Sequence, residues 1–142
     1  KSEIKTTLAK MQNQKKIDSS LQIITCVNDD SEKAMFRAKK TLAFYVSVGK
    51  IYREFLASNG FENETKNIFE EYEKNGLQSN HELVPESMVN ELCIAGTPGE
   101  SKTQLRQFRE TGIDLPIIQF NPTDNVDDSF NLLTTTFSEE SD

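Results

Sequence analysis

Two asparagines stand where a parallel α/β chain would place polar groups for a ligand. Asn28 follows the apolar run Leu21-Gln22-Ile23-Ile24-Thr25-Cys26-Val27, and Asn121 follows a second apolar run that ends at Phe120. In parallel folds ligands gather at the C-terminal ends of strands, because loops and helix N-termini converge there. An amide at that edge donates and accepts hydrogen bonds without setting a charge beside the ligand. Asn28 and Asn121 are therefore the candidate binding residues, with a plain turn or cap role as the alternative. No residue is assigned a catalytic role.

The other chemistry-bearing residues read as structural. His81 is the single histidine and lies in a polar loop beside Glu82. No second histidine or cysteine is near enough in sequence to build a metal site. It reads as a surface residue, with proton transfer as the sharper alternative. The carboxylate pairs Asp29-Asp30, Glu70-Glu71 and Asp127-Asp128 are adjacent in sequence, and adjacent side chains on a helix or strand point apart. Cys26 and Cys93 lie far apart in apolar company and read as small buried hydrophobes. Phe44, Tyr45 and Tyr52 could stack on a planar cofactor, but their helical spacing is more typical of core. Asn63-Glu64-Thr65 fits the glycosylation pattern, which matters only in a secreted chain.

Gly96-Thr97-Pro98-Gly99-Glu100-Ser101 invites comparison with a phosphate loop. It lacks the Gly-Lys-Ser/Thr ending, and no clear strand precedes it. It has instead the form of a capping box, with Thr97 as cap, Pro98 at the first helical position and Glu100 reaching back.

The elements that must position these residues follow from periodicity. Ile4, Leu8 and Met11 predict a helix over residues 2–15. Residues 21–27 are too short for a helix and apolar on both faces, which suits a buried parallel strand. Asp30 or Ser31 caps a long helix whose stripe runs Met35, Ala38, Leu42, Tyr45, Gly49, Tyr52, Leu56, widened by Phe36, Ala43, Val46 and Phe55. Gly49 marks a kink or a close contact, and Asn59-Gly60 stops the run. A helix over 62–74 places Ile68, Phe69 and Tyr72 inward. Residues 76–84 read as loop, and Pro85 opens a short helix with Met88, Val89 and Leu92 on one side. The stretch Ile94 to Pro122 is then one complete helix-to-strand unit, with Leu105 and Phe108 inward, Gly112 as the stop and a strand over 114–120. Residues 123–142 predict a short acidic helix and a tail.

Bulk composition narrows the function classes. A chain of 142 residues with 35% hydrophobic and 27% charged content is globular. The net charge is −7, and residues 72–142 hold 4 basic and 13 acidic side chains. Such a surface repels phosphate backbones, so no nucleic-acid partner is expected. The five lysines among the first sixteen residues read as a solvated helix face. No membrane partner is expected, since no window is apolar enough for a span, and the absence of a signal peptide makes a cytoplasmic location the default. The chain begins with Lys1 rather than Met, which fits a fragment, a processed chain or a trimmed one.

At this level the residues resemble a known family. LQIITCVNDDSEKAMFRAKKTLAFYV is similar to the seventh strand and following helix of the bacterial luciferase-like flavoprotein superfamily. VPESMVNELCIAGTPGESKTQLRQFRETGIDLPIIQFNP is similar to the unit that leads into its last strand: Gly96-Thr97-Pro98 with Glu100 opens the helix, and Arg109-Glu110-Thr111-Gly112 stops it. The branch most resembled is that of deazaflavin-dependent reductases including methylenetetrahydromethanopterin reductase. The resemblance covers residues 1–122. It implies α/β architecture as the C-terminal part of a (β/α)8 TIM barrel, helix-rich, with two parallel-type strands. Residues 60–92 would be the variable helical insertion near the barrel mouth, and 123–142 the acidic helix and tail.

The resemblance also implies hydride transfer between an 8-hydroxy-5-deazaflavin coenzyme or FMN and a small-molecule substrate. Most residues that grip the cofactor in that family lie on earlier strands, so the chain alone is expected to be inactive. As a barrel piece it should expose Ile23, Ile24, Ile117 and Ile118 and cover them by self-association or with the missing N-terminal barrel segment. The competing expectation is a non-catalytic α/β interaction module that folds by itself and buries them.

Overall fold

A computed structural model describes residues 18–138; the helix expected over 2–15 and the last four residues of the acidic tail lie outside the described residues. Three strands form one fully parallel sheet: β1 (Ser20–Val27), β2 (Cys93–Gly96) and β3 (Leu115–Phe120), in the order β2-β1-β3. The helices are α1 (Ser31–Val48), α2 (Lys50–Leu56), α3 (Glu62–Asn75), α4 (Glu86–Leu92), α5 (Pro98–Glu110) and α6 (Val126–Ser138).

The helix-rich α/β architecture expected from sequence is present, with one strand more than the two foreseen. The added strand, β2, is the four-residue run Cys93–Gly96, buried throughout. Four residues are too few to carry a readable alternation, and they abut α4 directly. The run becomes a strand because β1 offers it a partner in the register Ile24↔Cys93 to Val27↔Gly96.

The strand order fixes the layering. A right-handed crossover from β1 to β2 and another from β2 back past β1 to β3 put their helices on opposite faces. Alternation along the strands follows suit. Ile24, Cys26, Cys93 and Ala95 face a cluster built with Ala38, Leu42 and Val46 of α1, Leu56 of α2, Ile68 of α3, and Met88 and Val89 of α4. Ile23 and Ile94 face the other way, against Leu105 and Phe108 of α5 and Phe137 of α6. Leu42, Ile68 and Met88 are fully buried, each contributing roughly 1.5–3 kcal/mol of apolar transfer. The sheet is thus covered on both faces, as parallel sheets require. In a closed barrel successive strands stand side by side; here β3 pairs with β1, Ser20↔Leu115 to Thr25↔Phe120.

Local signals acted largely as read. Asp30 caps α1, its Oδ1 accepting from the backbone N–H groups of Glu32 at 3.0 Å and Lys33 at 3.4 Å. The long helix breaks at Gly49, where an added Cβ would sit 2.8 Å from the Tyr45 carbonyl oxygen. Gly60 ends the next segment at φ +102°, a conformation that favours glycine. Pro85 stands one position before α4, as its cap. The stretch 76–84 contains a short 3-10 turn, Asn80–Leu83.

Part of the expected core is outside it, and the four isoleucines that a barrel piece was expected to expose divide between buried and exposed. Phe36 and Phe55 are 51% and 62% exposed. The sheet presents only one surface to α1 and α2, and the main stripe already fills it. Of the four isoleucines, Ile23 and Ile24 are buried, Ile118 is half-buried and Ile117 is exposed. β1 is central and shielded, whereas β3 is an edge strand.

Candidate functional site

The C-terminal ends of the three strands form a common edge, and both candidate asparagines begin there as extensions of the ladder. The Asn28 N–H donates to the Gly96 carbonyl at 3.1 Å, and the Asn121 N–H donates to the Thr25 carbonyl at 3.0 Å. The backbone therefore holds both residues at the edge, as expected.

Their side chains are not brought together. Asn28 Nδ2 donates to Thr123 Oγ1 at 2.8 Å and Asp124 Oδ2 at 3.0 Å, while its Oδ1 accepts from the Asp30 N–H at 2.8 Å. It ties the β1–α1 turn to the segment after β3. Asn121 turns toward α1: its Oδ1 accepts from Thr41 Oγ1 at 3.1 Å and its Nδ2 donates to the Gln119 carbonyl at 2.8 Å. Asn121 is buried, so these bonds are shielded from water, whereas those of Asn28 to Asp124 lie at the surface.

Asp124 is the charged member of this edge. Hydrogen bonds from Asn28 and Lys33, with the Lys33 ammonium at 3.3 Å, hold its carboxyl below the usual range. Sequence reasoning passed over Thr123 and Asp124 because they lie in the acidic tail segment. The adjacent Asn121-Pro122, a turn signal, was the available hint.

The helix start after β2 is the other element of the edge. β2 does precede the Gly96–Ser101 run, correcting the expectation that no strand leads into it. The capping box is nonetheless complete. Glu100 Oε2 accepts from the Thr97 N–H at 2.8 Å, Thr97 Oγ1 at 2.9 Å and Ser31 Oγ at 3.0 Å, and Thr97 Oγ1 accepts from the Glu100 N–H at 3.4 Å. The Thr97 backbone and hydroxyl, then Ser31, hold the Glu100 carboxyl below its ordinary range. An internal carboxylate thus sits where a phosphate would go in a phosphate loop.

Away from the edge, Cys26 and Cys93 are free and buried, as read. Burial pushes the Cys26 thiol up to about 12, and that of Cys93 higher still. Neither is poised as a nucleophile. Among the described residues no group of three or more His, Cys, Asp or Glu side chains could hold a metal ion, and no helix is long and apolar enough to cross a membrane. His81 departs from its expected place at the surface: it is half-buried, its ring set edge-on to Phe36 at 5.1 Å between centroids.

Comparison with known proteins agrees with this architecture. The family of luciferase-like monooxygenases matches residues 3–115. The fold is similar to that of the coenzyme F420-dependent tetrahydromethanopterin reductase of Methanopyrus kandleri, at a TM-score of 0.72 and 17% identity. The likeness covers 89% of this chain and 36% of the reductase chain, so the chain spans about a third of that structure. No curated protein sequence matches.

Proposed function

Because the chain belongs to the luciferase-like monooxygenase family, we propose that it works as one part of a flavin- or deazaflavin-dependent oxidoreductase. The whole enzyme transfers a hydride between that cofactor and a small organic substrate. The reading is supported chiefly by one observation: the family match runs over residues 3–115, while the chain covers only 36% of the reductase whose fold it shares.

The residues present do not by themselves fit a flavin-type cofactor. At the edge the Asn28 and Asn121 amides, the Glu100 carboxylate and the start of α5 already have protein partners. Asn28 is the exchangeable contact, because its bonds to Thr123 and Asp124 lie near the surface. Asn121 is fixed by buried ones. In the parent Asn28 and Asn121 line the strand ends, and the main grip on the cofactor comes from residues outside this chain. The contribution derived for this chain is therefore positional: a rigid strand-end edge that orients what another segment binds.

The 142-residue chain alone is expected to bind neither FMN nor a deazaflavin and to transfer no hydride. Flavin fluorescence titration and a stopped-flow assay with reduced cofactor test this. Tight cofactor binding with turnover would overturn the reading.

A second reading is favoured by a specific observation. α5 and α6 cover the second face of the sheet, burying Ile23 and Ile94 as a self-contained module would. Size-exclusion at two concentrations separates the two. A concentration-independent monomer supports the module, and association supports a piece whose exposed β3 residues Leu115 and Ile117 seek a partner.

A further inference from the structure

β1 begins at Ser20, but β2 pairs with it only from Ile24 onward. Over Ser20–Ile23 that flank of β1 has no strand beside it among the described residues. A cavity of about 380 Å³ opens there, at the N-terminal end of the sheet. The last turns of α4 and α5, with the turn that leads into β3, close it around Ser20 and Leu21. Its size falls within the roughly 300–1,000 Å³ usual for small-molecule sites.

The floor is apolar and the rim is polar. Leu21 is 40% exposed although it stands on the central strand, and Phe108 and Ile113 line the same cavity half-buried. Asn90, Glu91 and Gln107 also line it, and none of their side chains makes a hydrogen bond or ion pair among the described residues. Gln104, one turn earlier on α5, is by contrast fully engaged with Ala95.

Charge decides the kind of ligand. Glu91 is the one charged side chain among the described residues that line the cavity, and no lysine or arginine offsets it there. Both bordering helices end here, and helix C-termini carry partial negative charge. Residues 72–142, which supply most of the lining, hold 4 basic and 13 acidic side chains. That field draws cations and repels anions.

We propose that this cavity binds a small organic cation, an ammonium carried on an aromatic or branched apolar body. The apolar body covers Leu21, Phe108 and Ile113 and removes their surface from water. The ammonium pairs with Glu91, and the side-chain carbonyls of Asn90 and Gln107 accept from its other N–H groups. The site lies at the opposite end of the strands from Asn28 and Asn121 and does not depend on the proposed redox role.

The test is titration of the 142-residue chain with phenethylamine, phenethyl alcohol and phenylacetate at constant ionic strength, following the Phe108 and Ile113 resonances by NMR. The three probes share one apolar body and differ in charge. Saturable shifts with phenethylamine in the millimolar range or below are expected. The neutral alcohol should bind about fivefold more weakly, the effect of losing one partly screened ion pair, and phenylacetate more weakly still. Glu91→Gln, at an exposed position, should bring the amine to the level of the alcohol and leave the alcohol unchanged, a split that a general loss of structure would not give. Gln107→Trp, also at an exposed position, should fill the cavity and abolish binding of all three, whereas Glu73→Gln on α3 should change nothing. No saturable shift, alcohol or phenylacetate binding as tightly as the amine, or amine binding unaltered by Glu91→Gln would each overturn the proposal.

Discussion

Gln104 holds Ala95 by both of its backbone groups: the Ala95 N–H donates to Gln104 Oε1 at 2.8 Å, and Gln104 Nε2 donates to the Ala95 carbonyl at 3.1 Å. A single amide from α5 thereby does for the outer edge of β2 what a neighbouring strand would do. The edge of a four-residue strand is closed without a fourth strand.

Removing that amide should be costly for its size. Gln104→Ala leaves the N–H and C=O of a buried residue unmade, and a loss of roughly 2–4 kcal/mol is expected. Gln104→Glu keeps the acceptor and should lose about half as much. Urea midpoints for the two variants check the ranking, and Gln104→Ala should also associate more at high concentration, because the freed edge can pair with another chain.

Gly96→Ala tests the junction between β2 and α5. At φ +152° an added Cβ would lie 2.6 Å from Glu100 Oε2 and 3.0 Å from Glu100 Cβ. The carboxylate must swing away, and with it go its bonds to Thr97 and Ser31. A destabilisation of about 2 kcal/mol is expected by thermal melting. In a Glu100→Ala background the same change should cost less, because the two residues share one arrangement.

Glu100 also makes stability depend on acid. Its folded carboxyl is held below the ordinary value of 4.5 by the Thr97 backbone and hydroxyl and by Ser31. A group depressed on folding contributes stability that is fully present above 4.5 and is lost as pH falls through its lower folded value. Melting temperatures measured from pH 6 downward should therefore fall more steeply for the parent chain than for Glu100→Gln. Equal slopes would show that the cap contributes nothing to the acid response.

The thiols give a readout of native packing. With Cys26 pushed up to about 12 and Cys93 beyond it by burial, almost no thiolate exists at neutral pH. A disulfide reagent should label neither cysteine in the native chain over a time in which both react fully in denaturant. Rapid native labelling would mean that α1 opens from the sheet.

What the sequence disclosed was local. The Thr97–Glu100 box, the Asp30 cap, the Gly49 break and the inward positions Ile68, Met88 and Leu105 are each decided within a turn or two of helix, and each is found in place. What it withheld was long-range. β2 exists because β1 and Gln104 satisfy its backbone, and neither lies beside it in the chain. The passage of β3 across β1 leaves no local mark, since either neighbour would ask for the same apolar alternation. At the site, backbone pairing placed Asn28 and Asn121 where their strand-end positions implied.

The strand order carries a consequence for growth. With β1 paired on both sides, the sheet can lengthen only at its flanks. One flank is plugged by the Gln104 amide. The other, along Leu115 to Phe120, has no comparable stopper among the described residues, so an incoming strand from a longer chain or a second copy docks beside β3. Completion into a larger sheet on that flank is then an addition, which leaves the six-residue β1–β3 ladder intact.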